Sequence, residues 1–284
     1  MKKLGQHFLK NKSKIKKIID ALAPKKNETI IEIGAGHGEL TDKLIKNQQV
    51  KIIAIEKDIK LATILQKKFK DSHNIKIIHN DVLKFLPKFF KTKDITIPSR
   101  SRKKCYKILG NIPYYLTGRL LKIIADLEPK PKLIVLTVQK EVAERICAKP
   151  PKMNLLAASV QFWAKPEIID YISKKDFWPI PKVDSAIIKL KPITVLPPSR
   201  KKRYNGNNDN YDYKTEKDNY YQIIKIIFKQ PRKTILNNLK KGLKIEKEEI
   251  IKKLSFLKIN PQTRPQDLSL KKLKILNKML YNNN

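Results

Sequence analysis

A glycine-rich segment and two carboxylates in the sequence could together bind a nucleoside. Gly34-Ala35-Gly36-His37-Gly38 follows an apolar run, where glycines let the backbone turn tightly and a ligand approach the main chain. Glu56 lies roughly 20 residues further on, at a spacing typical of an acid that accepts hydrogen bonds from a ribose diol. Asp81 ends another apolar run and could accept a proton from the exocyclic amine of an adenine.

The glycine segment departs from the dinucleotide fingerprint G-x-G-x-x-G, because Gly36 is followed by His37 and Gly38. A ligand without a pyrophosphate is therefore favoured over NAD. Ribose and adenine without pyrophosphate describe S-adenosylmethionine, which would leave as S-adenosylhomocysteine. His37 and His79 lack a cysteine or a third histidine at ligand spacing, so no metal is expected.

The segment Gly110-Asn111-Ile112-Pro113-Tyr114 could hold the group that receives a methyl. The side-chain carbonyl of Asn111 and the main-chain carbonyl of Ile112 can accept both hydrogens of an aromatic amine. Pro113 supplies no N–H, and its fixed φ helps to hold the turn. Tyr114 or Tyr115 can stack on a base. These contacts free the amine's lone pair from the ring, so the site would work by alignment and electrostatics without a strong base.

Alternating apolar runs and helical patterns must position these groups. Strands are predicted at Thr29–Ile33, Val50–Ile55, Ile75–Ile78, Tyr106–Leu109 and Lys132–Val138, and helices at Glu39–Lys46 and Ile59–Phe69. Two later runs, Ile168–Ile172 and Ala186–Leu190, could extend the sheet as an antiparallel pair. Strands that alternate with helices predict an α/β fold with a largely parallel sheet covered on both faces.

The chain is predicted to contain two domains and a linker. Residues 1–195 form the catalytic domain, 196–219 a polar linker or insertion, and 220–284 a small basic helical domain. From Pro197 to Asn219 the sequence is polar and has no hydrophobic period, which is typical of a mobile linker. Beyond it, apolar residues recur at helical spacing, with further amphipathic segments near 248–257 and 269–280.

The composition indicates a nucleic-acid partner and a cytoplasmic protein. Lys and Arg total 63 against 26 acidic residues, a formal charge of +37 that attracts polyanions. No uncharged apolar run approaches the roughly 20 residues of a membrane-spanning helix. Residues 1–10 have no apolar signal region, and Cys105 and Cys147 lie too far apart to suggest a disulfide framework. Trp163 and Trp178 are predicted to pack inside the protein rather than to stack on bases.

Seven segments, in order, resemble the KsgA-type (RsmA) small-subunit ribosomal RNA adenine N6,N6-dimethyltransferases along nearly the whole chain. They are GQHFL at 5–9, EIGAGHGELT at 32–41, IEKD at 55–58, GNIPY at 110–114, QKEVAER at 139–145, FWPIPKVDS at 177–185 and RKT at 232–234. Each is weak alone, and the ordered set is specific.

The resemblance implies a Rossmann-like class I methyltransferase sheet, a small C-terminal RNA-binding domain and a monomer. It further implies transfer of two methyls to N6 of each of two adjacent adenosines near the 3′ end of 16S rRNA, in immature small subunits, with a role in subunit biogenesis. Donor-binding positions in that family match His7, Leu9, Gly34, Gly36, Glu56, Asp81 and Asn111. The position of Phe177 packs against the target adenine, opposite Tyr114. His7 stands where many relatives have Asn. Residues 203–219 have no counterpart that aligns and are expected to be a disordered insertion.

Three alternatives remain open. An Erm-type methyltransferase shares the glycine segment and Asn-Ile-Pro-Tyr but modifies 23S rRNA. The segments at Gln139–Val142 and Pro181–Ser185 favour the KsgA type. An adenine-specific DNA methyltransferase holds its amine with an equivalent motif, although the motif order argues against it. A non-catalytic RNA-binding assembly factor could keep the fold, but the retained acids and Asn111 favour an enzyme.

Overall fold

The computed structural model describes residues 5–89, 106–193, 213–243 and 245–281. Cys105 and residues 194–212, which include most of the predicted linker, lie outside the described residues. Two compact units are present. The first contains the described residues up to Glu144 together with Ala164–Pro192, and the second contains Arg145–Trp163 and the described residues from Ile193 onward.

The first unit is built from strands and helices that alternate along the chain. Its strands are β1 (Phe8–Leu9), β2 (Thr29–Ile33), β3 (Lys51–Glu56), β4 (Ile75–His79), β5 (Tyr106–Asn111), β6 (Leu133–Gln139), β7 (Ala164–Ile172), β8 (Phe177–Trp178) and β9 (Ser185–Pro192). Its helices are α1 (Lys12–Leu22), α2 (Thr41–Leu44), α3 (Ile59–Lys68), α4 (Val82–Phe89) and α5 (Thr117–Asp126). Helix α6 spans Lys140–Cys147.

The described residues form a seven-stranded sheet in the order β4-β3-β2-β5-β6-β9-β7. The first five strands are parallel, and β9 pairs antiparallel with both β6 and β7. The chain leaves β2 toward one edge of the sheet and returns at β5 toward the other. A switch of this kind opens a crevice at the carboxyl ends of the two strands. Ile33 pairs with Gly110 there, so Gly34 and Asn111 lie side by side.

Apolar side chains explain why these strands lie in the interior. Every residue of β2 is buried, as expected for a parallel strand covered on both faces. On one face, Ile15, Ile18 and Leu22 of α1 pack against a cluster that includes Leu109 and Val135. Helix α1 begins after Asn11, whose side chain accepts hydrogen bonds from the main-chain N–H groups of residues 13 and 14. The start of α1 is thereby fixed directly after β1.

The second unit contains helices α7 (Leu155–Gln161), α8 (Tyr213–Ile227), α9 (Ile235–Gly242), α10 (Lys247–Phe256) and α11 (Leu270–Tyr281). Tyr220 is fully buried, donates a hydrogen bond to the carbonyl oxygen of Ala158 at 3.1 Å and stacks on Phe162 at 4.2 Å. These contacts join α7 to the C-terminal helices.

The predicted α/β fold with a helical C-terminal region is confirmed, and the antiparallel pair is formed by β7 and β9. Two details differ. The helix predicted at Glu39–Lys46 is reduced to α2. The linker predicted to run to Asn219 ends earlier, because α8 begins at Tyr213. Residues 214–219 are polar and carry no apolar period, so their helical state could not be read from hydrophobic spacing.

A buried ion pair links β5 to the residue that precedes β2, close to the end of α1. The Nζ atom of Lys107 lies 2.7 Å from Oε2 of Glu28, and both side chains are almost fully buried. Lys107 also donates hydrogen bonds to the carbonyl oxygens of Leu22 and Ala23, at 3.0 and 2.6 Å, where the negative end of the α1 dipole favours a cation. Burial opposes ionisation of Glu28, but hydrogen bonds from Lys107 and from the N–H of Lys25 outweigh it and lower its pKa.

Breaking this pair from one side should destabilise the protein strongly. Glu28→Gln leaves a buried ammonium without a counter-charge, a loss of about 3–5 kcal/mol in the free energy of unfolding. Lys107→Met should have an effect of similar size, and the double variant should lose clearly less than the sum of the two single losses. Urea unfolding of the four proteins measures this cycle. Losses that simply add would show that the two side chains are not coupled.

Candidate active site

A cavity opens at the carboxyl ends of the parallel strands, where β2 and β5 diverge. Its volume, counted out to the open mouth, is about 950 Å³. The structure brings together in its wall every site residue predicted from the sequence. These are His7, Leu9, Gly34, Gly36, Glu56, Asp81, Asn111, Ile112, Pro113, Tyr114 and Phe177.

The glycine segment and Glu56 form one wall. Gly34 and Gly36 have φ angles of 69° and 61°, in the left-handed region that favours glycine. A Cβ on Gly36 would lie 3.0 Å from the Phe8 ring, so a side chain there would crowd the wall. Glu56 ends β3, is 3% exposed and accepts main-chain hydrogen bonds from Gly36, Lys57 and Asp58 at 2.8–2.9 Å. Three donors fix this carboxylate and leave oxygen lone pairs for a ligand hydroxyl.

Asp81 lies just after β4 and is paired with Lys57. Its Oδ2 atom is 2.8 Å from the Lys57 ammonium, and its Oδ1 atom accepts the N–H of Leu83 at 2.9 Å. Partial burial opposes ionisation of Asp81, but the hydrogen bond from Lys57 and that from Leu83 outweigh it and lower its pKa. The hydrogen bond to Asp81 raises the pKa of Lys57 in turn. The carboxylate is therefore ionised and oriented at neutral pH.

A two-stranded ribbon brings the N-terminal segment to the cavity. Strand β1 pairs antiparallel with β8, so that Phe8 faces Trp178 and Leu9 faces Phe177. The His7 ring donates from Nδ1 to the carbonyl oxygen of Pro179 at 2.7 Å. A neutral His7 ring then presents only a lone pair at Nε2, so a contact with a ligand carboxylate requires the protonated ring. Sequence reasoning missed this ribbon, because two-residue strands have no hydrophobic period.

Asn111 ends β5 with its carboxamide in one defined orientation. Its Nδ2 atom donates to the main-chain oxygen of His7 at 2.9 Å, which leaves Oδ1 as an available acceptor. Tyr114 is held by a 2.8 Å hydrogen bond between its hydroxyl and Ser185, and burial raises its pKa. Its ring stacks near His7 at 5.9 Å. Phe177 is buried in the cavity wall.

Glu32 is a cavity residue to which sequence reasoning gave no role. It lies in β2, is 1% exposed and accepts a 2.7 Å hydrogen bond from the Thr41 hydroxyl. Burial raises the pKa of Glu32 to about 8. The Thr41 hydroxyl partly offsets this rise, and the charges of Glu39, Asp42 and Glu56 add to it. An acid between two isoleucines in the strand Thr29–Ile33 was the available signal.

The two tryptophans differ in exposure. Trp163 is 2% exposed, which confirms the prediction that it packs inside the protein. Trp178 is 58% exposed, so the same prediction is wrong for it. Side chains alternate along β8, and Phe177 takes the inward position.

The part of the chain that the structure describes contains neither a metal-binding cluster nor a membrane-spanning helix. No group of three or more His, Cys, Asp or Glu side chains there could hold a metal ion. No helix among those residues is long and apolar enough to cross a bilayer.

Comparison with known proteins gives consistent matches. A family model described as ribosomal RNA adenine dimethylase matches residues 1–280. Ribosomal RNA small subunit methyltransferase A of Dehalococcoides mccartyi strain 195 is 36% identical over 275 residues, 97% of this chain and 86% of the relative. A dimethyladenosine transferase from Plasmodium falciparum shares the fold with a TM-score of 0.73, 24% identity and 97% coverage of both chains. The 23S rRNA methyltransferase ErmE matches with a TM-score of 0.69 and 19% identity, and the match covers 96% of this chain and 99% of the ErmE chain.

Replacement of Glu32 by Gln should stabilise the ligand-free protein at high pH. The folded state holds a proton on Glu32 up to about pH 8, whereas the unfolded chain releases it near 4.5. Stability is therefore lost as pH rises through that window, and Glu32→Gln removes the loss. As the pH rises from 5 to 8.5, the free energy of unfolding of the variant should increase relative to that of wild type by on the order of a few kcal/mol. Urea unfolding at these pH values tests this prediction. It would be contradicted if the free energies of unfolding of the two proteins changed with pH in the same way.

Proposed function

The chain belongs to the ribosomal RNA adenine dimethylase family, and on that premise we propose that it dimethylates two adjacent adenosines near the 3′ end of small-subunit (16S) rRNA. It is an S-adenosylmethionine-dependent methyltransferase in fold and family. The small-subunit assignment is supported by the Dehalococcoides relative, which is named for that subunit. The hydrogen bond from Asn111 to the His7 carbonyl supports the chemistry most directly.

The donor would be held by residues of the glycine wall and the neighbouring strand ends. Glu56 would accept the ribose hydroxyls, and Asp81 would accept a proton from the adenine amine. His7 and Leu9 would cover the donor where it lies against Gly34 and Gly36. S-adenosylmethionine fits the cavity for two reasons. Three amide donors hold the Glu56 carboxylate in place, and the absence of a side chain at Gly36, where a Cβ would crowd the wall, leaves room for the ligand. When bound, S-adenosylmethionine supplies a methyl group made electrophilic by a positive sulfur.

The acceptor adenosine would be positioned by Asn111, Ile112 and Pro113. Because Nδ2 of Asn111 is committed to His7, its Oδ1 can accept one hydrogen of the adenine N6 amine. The main-chain oxygen of Ile112 would accept the other, and Pro113 adds no competing N–H. Tyr114 and Phe177 would hold the flipped ring between them, since stacking returns roughly 1–3 kcal/mol per base. The amine lone pair is then aligned for attack.

The second unit would bind the RNA backbone. Lys240 and Lys241 lie in the last turn of α9, Lys271 and Lys272 lie in the first turn of α11, and all four are exposed. These cations could contact phosphates without reading sequence. We further propose that the enzyme works as a monomer in the cytoplasm on immature small subunits.

An Erm-type activity on 23S rRNA is the alternative. The match to ErmE shows a shared fold and does not distinguish the substrates.

Purified protein with S-adenosylmethionine labelled in the methyl group should label 16S rRNA of small subunits that lack adenine methylation. Mass spectrometry of the digested RNA should find N6,N6-dimethyladenosine at two neighbouring positions. Fully methylated small subunits are the matched control and should accept no label. Label confined to large-subunit rRNA would favour the Erm-type alternative, and label in DNA alone would refute both.

Replacement of Asn111 by Ala should remove turnover while donor binding largely survives. Loss of one preorganised polar contact to the reacting group lowers kcat on the order of 10²- to 10³-fold. Asn111→Asp should retain more activity than Ala, because a carboxylate still accepts the amine hydrogens. Single-turnover methylation measures the rate, and calorimetry with S-adenosylhomocysteine measures binding. Normal turnover by Asn111→Ala would contradict the amine-holding role.

A further inference from the structure

Strand β8 presents two aromatic rings in opposite directions. The Phe177 ring is 3% exposed and lines the cavity, whereas the next ring, Trp178, is 58% exposed. Trp178 faces Phe8 across the ribbon, and Phe8 itself lines the cavity. The exposed indole therefore lies one residue from the proposed adenine pocket. Two further apolar residues of the same segment, Ile180 and Val183, are 61% and 43% exposed.

The indole carries a cation over its ring. The Nζ atom of Lys10 lies 5.1 Å from the ring centroid, within the range of a cation–π contact. Lys10 follows β1 directly, so the ribbon that places Phe177 in the cavity also places Lys10 beside Trp178. A flat ring next to an exposed ammonium is complementary to a nucleotide, because the ring can stack on the base and the ammonium can pair with the flanking phosphate.

The segment that bears Trp178 is held on both sides. The N–H of Lys10 donates to the carbonyl oxygen of Asp176 at 2.8 Å, and the Asn11 side chain donates to the Asp176 carboxylate at 2.9 Å. The His7 ring donates to the carbonyl oxygen of Pro179 at 2.7 Å. A platform fixed in this way needs little ordering when a ligand binds, which favours affinity.

We propose that Trp178 and Lys10 form a stacking platform for the unpaired RNA base next to the target adenosine. This role rests on the proposed function, because it assumes that an adenosine of single-stranded RNA enters the cavity. Aromatic rings interleaved with cations are the usual means by which proteins hold unpaired nucleotides. The charge of +37 favours a polyanion over an apolar protein partner on this surface.

Intrinsic fluorescence tests the stacking directly, since the chain has two tryptophans and Trp163 is buried. Single-stranded RNA with the unmethylated 16S 3′-terminal sequence should quench the emission of the wild-type protein. Trp178→Phe should abolish most of that change and still bind RNA. Heparin, a polyanion without bases, should quench little. Equal quenching by heparin, or quenching that persists in Trp178→Phe, would overturn the platform.

Equilibrium binding of RNA provides a second test with a matched control. Trp178→Ala should raise the Kd for this RNA roughly 5- to 150-fold, as expected for loss of one stacked base, with affinity for S-adenosylhomocysteine unchanged. Trp178→Phe should restore most of the RNA affinity. The control is Tyr171→Ala, because Lys140 lies 5.2 Å above the exposed Tyr171 ring while β7 contributes nothing to the cavity wall. It should bind RNA as wild type does.

The outcomes separate this role from the proposed function. Wild-type affinity in Trp178→Ala, together with methylation of 16S rRNA, would refute the platform and leave the function standing. If wild-type protein methylates another RNA instead, the same titration with that RNA decides the role of Trp178.

Discussion

The hydrogen bond from Asn111 to the His7 carbonyl joins the two parts of the chain on which the site depends. Asn111 ends a central strand of the sheet, whereas His7 belongs to a segment that reaches the cavity only through the β1–β8 ribbon. A carboxamide can point either of its two ends at a ligand, and this bond decides which. Without the ribbon, the acceptor oxygen of Asn111 would have no fixed direction. The geometry at the cavity therefore depends on four residues of short antiparallel pairing.

The electrostatics of the cavity are opposite to those of the chain as a whole. Glu32, Glu39, Glu56 and Asp81 line the cavity of a protein whose formal charge is +37. An acidic interior suits a cationic sulfonium donor, and a basic exterior attracts RNA phosphates. Burial keeps Glu32 protonated near neutral pH, so the acids do not repel one another at full strength. Under the proposed function, donor and acceptor would thereby be drawn to different parts of one site.

The sequence predicted the sheet and most of the cavity wall for a physical reason. Buried parallel strands are short apolar runs, and side chains that follow such runs meet at one edge, so Gly34, Glu56, Asp81 and Asn111 could be grouped without coordinates. Other features come from tertiary contacts alone. The β1–β8 ribbon is too short to have a period, the pKa of Glu32 depends on burial, and the exposure of Trp178 depends on which face of β8 turns inward.

Stability and chemistry are placed at opposite ends of α1. Its last turn is tied to β5 through Lys107, whereas its first turn begins at Asn11, which donates to Asp176 just before β8. A helix is stiff over eleven residues, so the hydrogen bonds from Lys107 at one end restrict where the other end can lie. The ribbon, in contrast, has its own bonds to Asp176 and Pro179. Loss of the ion pair should therefore lower global stability before it disturbs the orientation of Asn111, because the local bonds of the ribbon remain intact while the fold persists.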